Sequence, residues 1–143
     1  MKRQFWLSLP VKDVKISKAF FTKMGFEFNT NYPETEQSAS LMLGEHGTVV
    51  MLFEESMFRG FCGNEISDAK KSNEVLLSID AFSKEEVDTF AQKAIAAGGI
   101  SNHKPYEMTG WMYGCVFSDP DGHKWNVLYM DMGKMPKQAV QNP

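Results

Sequence analysis

The stretch that decides the fold is "FSDPDGHKWNVLYMD", Phe117 to Asp131. Its centre, Asp119 to Gly122, has the chemistry of a tight turn: Asp side chains bond back to nearby backbone, Pro fixes φ and Gly accepts a positive φ. Apolar runs flank it. "WMYGCVFS" from Trp111 leads in and "HKWNVLYM" from His123 leads out, which predicts two strands joined by the turn. In the outgoing strand Asn126 and Leu128 share one face, and Trp125, Val127 and Tyr129 share the other. A charged side chain on the first of those faces would suggest a metal ligand. This chain has the neutral amide of Asn126.

Working outward, "EVLLSID" from Glu74 to Asp80 reads as a strand. Ser83 and Glu86 form a capping box for a helix through Val87, Phe90, Ala94 and Ile95, which ends at Gly98 and Gly99. A short strand near Ile100 to Lys104 precedes Trp111, so the order is β-α-β-β-β. The first half repeats it. "QFWLSLP" from Gln4 is a strand, and Asp13 caps a helix through Val14, Ile16, Ala19, Phe20 and Met24 to Gly25. Three strands follow: "FEFNTNY" from Phe26, "SASLMLG" from Ser38 and "TVVMLFE" from Thr48, the last two joined by a turn at Glu45 to Gly47. The letters recur too. "FWLSLP" from Phe5 matches "VLLSID" from Val75, and "GTVVMLFE" from Gly47 matches "GHKWNVLY" from Gly122. Such a repeat sets the architecture, because neither half can bury a sheet face alone.

The expected fold class is therefore α+β: two tandem β-α-β-β-β modules forming a curved mixed sheet around a shared cavity. One domain spans 1–132, with module one at about 3–55, a linker at 56–72 and module two at about 73–132. The linker's Met57, Phe58 and Phe61 suit a short helix or flap, and 133–143 reads as a flexible tail.

Composition narrows the function. A net charge of −3 without a basic stripe argues against nucleic acid. No apolar run is long enough to cross a bilayer, and "MKRQFW" is not the start of a signal peptide. Cys62 and Cys115 read as free thiols in a reducing compartment, which points to the cytoplasm. Ten Met and eleven Phe suggest an adaptable core or an apolar pocket. His46 and His103 read as solvent-facing, and His123 as a stabiliser of the turn. Cys115, mid-strand, reads as a small core residue, and no nucleophile-base spacing stands out.

"LPVKDVKISKAFFTKMGFEF" from Leu9, together with "DPDGHKWNVLYMD", resembles the vicinal oxygen chelate superfamily: glyoxalases, bleomycin resistance proteins and extradiol dioxygenases. The likeness runs over roughly Lys2 to Asp131. "MYGCVFSDPDGHKW" and the linker resemble a bacterial subgroup labelled predicted lactoylglutathione lyase.

The resemblance implies a divalent ion held by His, Gln or Glu at four places, on the first and last strand of each half. Those places fall on Trp6, Met51, Glu74 and Asn126, with Gln4 in reach of the first by a two-residue slip. An indole has no lone pair to give, a thioether is soft, and an amide oxygen binds weakly. The expectation is thus a degenerate site with no metal, or, if one binds, Gln4, Glu74 and Asn126 holding zinc, nickel, iron or manganese. Trp6, Met51, Trp111, Tyr113 and Asn126 are then candidate walls for a small aromatic or apolar ligand. Glu74 is the candidate catalytic residue, since burial beside Trp6 and Met51 would disfavour its charged form and make it a general base. Three functions remain: a metal-free binding protein, a metal-dependent lyase, isomerase or dioxygenase, and a metal-free enzyme using Glu74. Relatives of this kind are commonly homodimers.

Overall fold

The computed structural model describes residues 2–33, 35–45 and 47–137. His46 and the end of the tail, 138–143, lie outside the described residues. The order is β1 (Trp6–Val11), α1 (Val14–Lys23), β2 (Glu27–Phe28), β3 (Ser38–Leu43), β4 (Thr48–Glu54), α2 (Glu55–Cys62), β5 (Leu76–Asp80), α3 (Lys84–Ala96), β6 (Ile100–Met108), β7 (Met112–Ser118) and β8 (Lys124–Met130). Among the described residues no helix is long and apolar enough to cross a membrane.

The caps form as the sequence requires. The Asp13 carboxylate accepts from the backbone N–H of Lys15 and Ile16 and starts α1. Ser83 Oγ accepts from Glu86 N, and Glu86 reaches back to Phe82 N, one residue earlier than the usual box. The linker's first part is indeed helical, as α2. The strand after Phe26 is only two residues long, whereas β6 runs on past Lys104 to Met108.

The strands make two four-stranded mixed sheets, ordered β1-β4-β3-β2 and β5-β8-β7-β6. The repeat is visible in the register. Trp6 pairs with Val49 and Ser8 with Met51, while Leu76 pairs with Lys124 and Ser78 with Asn126. Both sheets therefore join their first and last strands in parallel at equivalent positions.

Alternation decides which face is buried. Leu9, Val11, Leu41, Val50 and Leu52 of one sheet and Cys115, Phe117, Trp125 and Val127 of the other are all buried. Helix α1 drives Phe20 and Phe21 between the sheets, where Phe20 meets Phe117 at 6.2 Å and Phe21 meets Trp125 at 5.3 Å between ring centroids. Phe26 and Phe90 close the same core at 5.9 Å. The opposite faces, carrying Trp6, Ser8 and Met51 on one sheet and Ser78 and Asn126 on the other, point away from that core.

The turn at Asp119 to Gly122 fastens the modules together. Asp121 accepts from Lys12 N at 2.8 Å and from Ser17 Oγ at 3.3 Å. His123 Nε2 lies 2.7 Å from the Pro10 carbonyl, which can only accept, so Nε2 carries the proton. Asp119 holds the turn itself. Its buried carboxylate accepts from Asp121 N, His123 N and Trp125 Nε1, at 3.0, 3.1 and 3.1 Å. Desolvation raises its carboxyl above the ordinary value, with the His123 charge and the Trp125 N–H pulling the other way.

Asp119→Asn keeps the shape but turns a donor toward Trp125 Nε1. It should cost about 2 kcal/mol in urea unfolding, because a buried donor loses its acceptor. The sign of the pH effect follows from the raised carboxyl. The native state binds more protons than the unfolded chain between the raised value and the ordinary one, so this group adds stability as pH falls. The gap between wild type and variant should widen as pH falls toward the ordinary carboxylate range.

Candidate functional site

The outward face of the first sheet carries a cleft of about 380 Å³. β1 supplies Trp6, β4 supplies Val49 and Met51, and β3 supplies Ser38 and Ser40. The loop after the short β2 adds Asn29, Tyr32 and Pro33. Asn29 folds that loop: its N–H donates to Ser40 O at 2.9 Å and its side-chain oxygen accepts from Asn31 N at 2.9 Å. Ser40 Oγ donates to the Met51 thioether at 3.2 Å. Trp6 is 56% exposed and Tyr32 is 68% exposed, so two rings stand open at the cleft.

The residues singled out from the sequence do not all meet here. Trp6 and Met51 share the cleft. Glu74 is exposed, just before β5, in a separate groove of about 340 Å³ between the modules, beside Leu9, Phe58 and His123. There its carboxylate is open to water and apart from Trp6 and Met51. Gln4 precedes β1 and lines a third cleft of about 510 Å³. Asn126 lies on the outward face of the second sheet and donates to Ser78 Oγ at 3.2 Å. Trp111 sits in the turn before β7, where its carbonyl accepts from Asp131 N at 2.8 Å.

Tyr113 lies on the helix side of its sheet, packed against the core. Its hydroxyl donates to Asp88 at 2.7 Å, and the Lys84 ammonium, paired with Glu107, stands 5.5 Å over the ring. The Asp88 bond and then burial raise the Tyr113 hydroxyl above its ordinary value. Of the histidines, His103 is exposed on β6 and touches Tyr106, and His123 binds across modules. Sequence reading missed Asn29, Tyr32, Ser38 and Ser40. The two serines could have been found from the period of β3, since they face the same way as Met51.

The donors present do not fit a divalent metal. Of the four places, Trp6 and Met51 share one cleft, Glu74 lines another, and Asn126 stands on the outward face of the second sheet, so the one carboxylate among them is apart from an indole, a thioether and an amide. Divalent ions of glyoxalase-type chemistry prefer carboxylate and imidazole. Gln4 and Glu74 line different clefts. Among the described residues no three His, Cys, Asp or Glu side chains are grouped to hold an ion.

The sequence profile of the "Glyoxalase/Bleomycin resistance protein/Dioxygenase superfamily" matches residues 3–127. A hypothetical protein of S. aureus is 31% identical, with 90% of this chain and 95% of that one covered at a TM-score of 0.79. A glyoxalase/bleomycin resistance protein/dioxygenase family enzyme from Burkholderia phytofirmans is 22% identical over 87% of this chain and 96% of that one, at a TM-score of 0.74. A lactoylglutathione lyase from Agrobacterium tumefaciens is 16% identical over 90% and 94%, at a TM-score of 0.64. These last two likenesses speak for the fold. Among curated proteins none matches the chain.

The two thiols differ sharply. Cys62 is exposed at the end of α2, and Cys115 is buried with its thiol pushed up to about 11 by desolvation. An aromatic disulfide reagent at neutral pH should titrate one thiol in the native protein. The second should react only in denaturant, at the rate of unfolding.

Proposed function

The chain belongs to the Glyoxalase/Bleomycin resistance protein/Dioxygenase superfamily, and from that premise we propose that it binds a small, planar, largely apolar molecule through the walls of the module-one cleft, without a metal ion. The observation that carries this is the pair of exposed rings, Trp6 and Tyr32, lining one cleft with Met51. Exposed aromatic surface is costly in water, and a flat ligand between two rings removes it. The cleft's size suits a molecule of a few rings. A thioether adapts its shape to an irregular partner. Ser38, Ser40 and Asn29 offer the few polar contacts that orient such a ligand.

The metal-independent part rests on the donor set. Trp6, Met51 and Asn126 supply no charged ligand, and Glu74, the one carboxylate among the four places, lines a different groove from Trp6 and Met51. Self-association belongs to the same reading. β1 and β5 are both edge strands, and Leu76 and Met130 on the second sheet's outward side are more than a third exposed.

Calorimetric titration with a panel of neutral aromatic compounds should give binders, and Trp6→Ala should weaken them at least tenfold, about 1.4 kcal/mol. Dialysis against a chelator should leave affinity unchanged. Unaltered binding in Trp6→Ala would refute the cleft. Binding or turnover that arises only with added zinc, nickel, iron or manganese would refute metal independence and restore the lyase or dioxygenase reading. Sedimentation should show a dimer at micromolar protein.

A further inference from the structure

The module-one cleft is half of a larger depression. The third cleft, of about 510 Å³, adjoins it and shares Trp6, Asn29, Tyr32 and Val49 with it. The two halves differ in chemistry. The first has apolar and hydroxyl walls, namely Met51, Val49, Ser38 and Ser40. The second adds Arg3, Gln4 and Thr48. Among the described residues, no Asp or Glu lines either half, and Arg3 is the one charged side chain there. This inverts the balance of the chain, which is −3 overall.

Arg3 is exposed, and among the described residues it has no ion pair. A guanidinium left without a carboxylate in a depression that also offers an amide and a hydroxyl is a receptor for a planar anion. Its N–H groups match the two oxygens of a carboxylate. Trp6 and Tyr32 line both halves, so one molecule can lie along the rings and reach the arginine.

We propose that the ligand is a small organic carboxylate: a flat apolar body held by Trp6 and Tyr32 beside Met51, with its carboxylate on Arg3. The proposal rests on the cleft reading above and adds the ligand's charge. A cationic ligand, which the chain's acidic balance alone favours, finds no counter-charge among the described wall residues. The steering is local, because salt screens exposed charges beyond about 8 Å in physiological buffer.

The test uses naphthoate and the matching neutral naphthamide, titrated calorimetrically into wild type, Arg3→Gln and Trp6→Ala. Naphthoate should bind about fivefold more tightly than naphthamide, in keeping with an exposed ion pair. The preference should shrink as salt is raised. Arg3→Gln should abolish the preference, weakening naphthoate more than naphthamide, and Trp6→Ala should weaken both probes. Equal affinities in wild type, a preference for the amide, or a carboxylate preference that survives in Arg3→Gln would overturn the proposal and leave the cleft reading standing. Binding of neither probe would overturn both.

Discussion

A single buried carboxylate organises this molecule. Asp119 sits out of water and collects three N–H groups, two from its own turn and one from the Trp125 indole. Those bonds shape the turn so that Asp121 and His123 project toward module one. The indole so held then meets Phe21, Phe26 and Phe117 in the core. Polar and apolar parts of the module junction are thus joined through one residue pair. Burying the charge has a cost, and the raised carboxyl of Asp119 is its sign. Hydrogen bonds from backbone and indole offset that cost, so removing either partner exposes the penalty in full.

Much of the fold was legible because local chemistry and long-range pairing agree. Asp13 and Ser83 cap the helices that their sequences announce. The letter matches between the halves proved to be structural, since Ser8 with Met51 and Ser78 with Asn126 occupy equivalent register positions. Period-2 alternation correctly separated Asn126 from Trp125 and Val127, and Cys115 is the core residue that its place in a strand implied. The strand after Phe26 was overestimated. Its Asn29 instead binds the backbone of its own loop, as such side chains do.

The site was less legible, for two physical reasons. Spacing along a strand says which residues share a face but not which faces meet. Trp6 and Asn126 both point outward, yet they stand on different sheets whose common core lies on the other side. Strand ends are the second reason. Glu74 and Gln4 lie just outside β5 and β1, where alternation no longer governs direction: Glu74 lines a groove apart from Trp6, while Gln4 shares the third cleft with it. Tyr113 obeyed alternation but on the helix side, where Asp88 claims its hydroxyl. Tyr32 and Arg3 belong to segments without periodicity, so no pattern could mark them.

The alternation of the outer strands has a consequence for how such a chain diverges. In β1, β4 and β8 the residues that hold the molecule together and those that meet solvent are interleaved but separate. Exchanging a side chain at Ser8, Met51, Ser78 or Asn126 disturbs no aromatic contact of the core. Heritable change in what the molecule recognises is therefore decoupled from change in how firmly it is folded. The two halves are alike in register and unlike in chemistry: sulfur beside a hydroxyl on one outer face, an amide beside a hydroxyl on the other. A repeated scaffold of this kind keeps one skeleton under two outer surfaces of different chemistry.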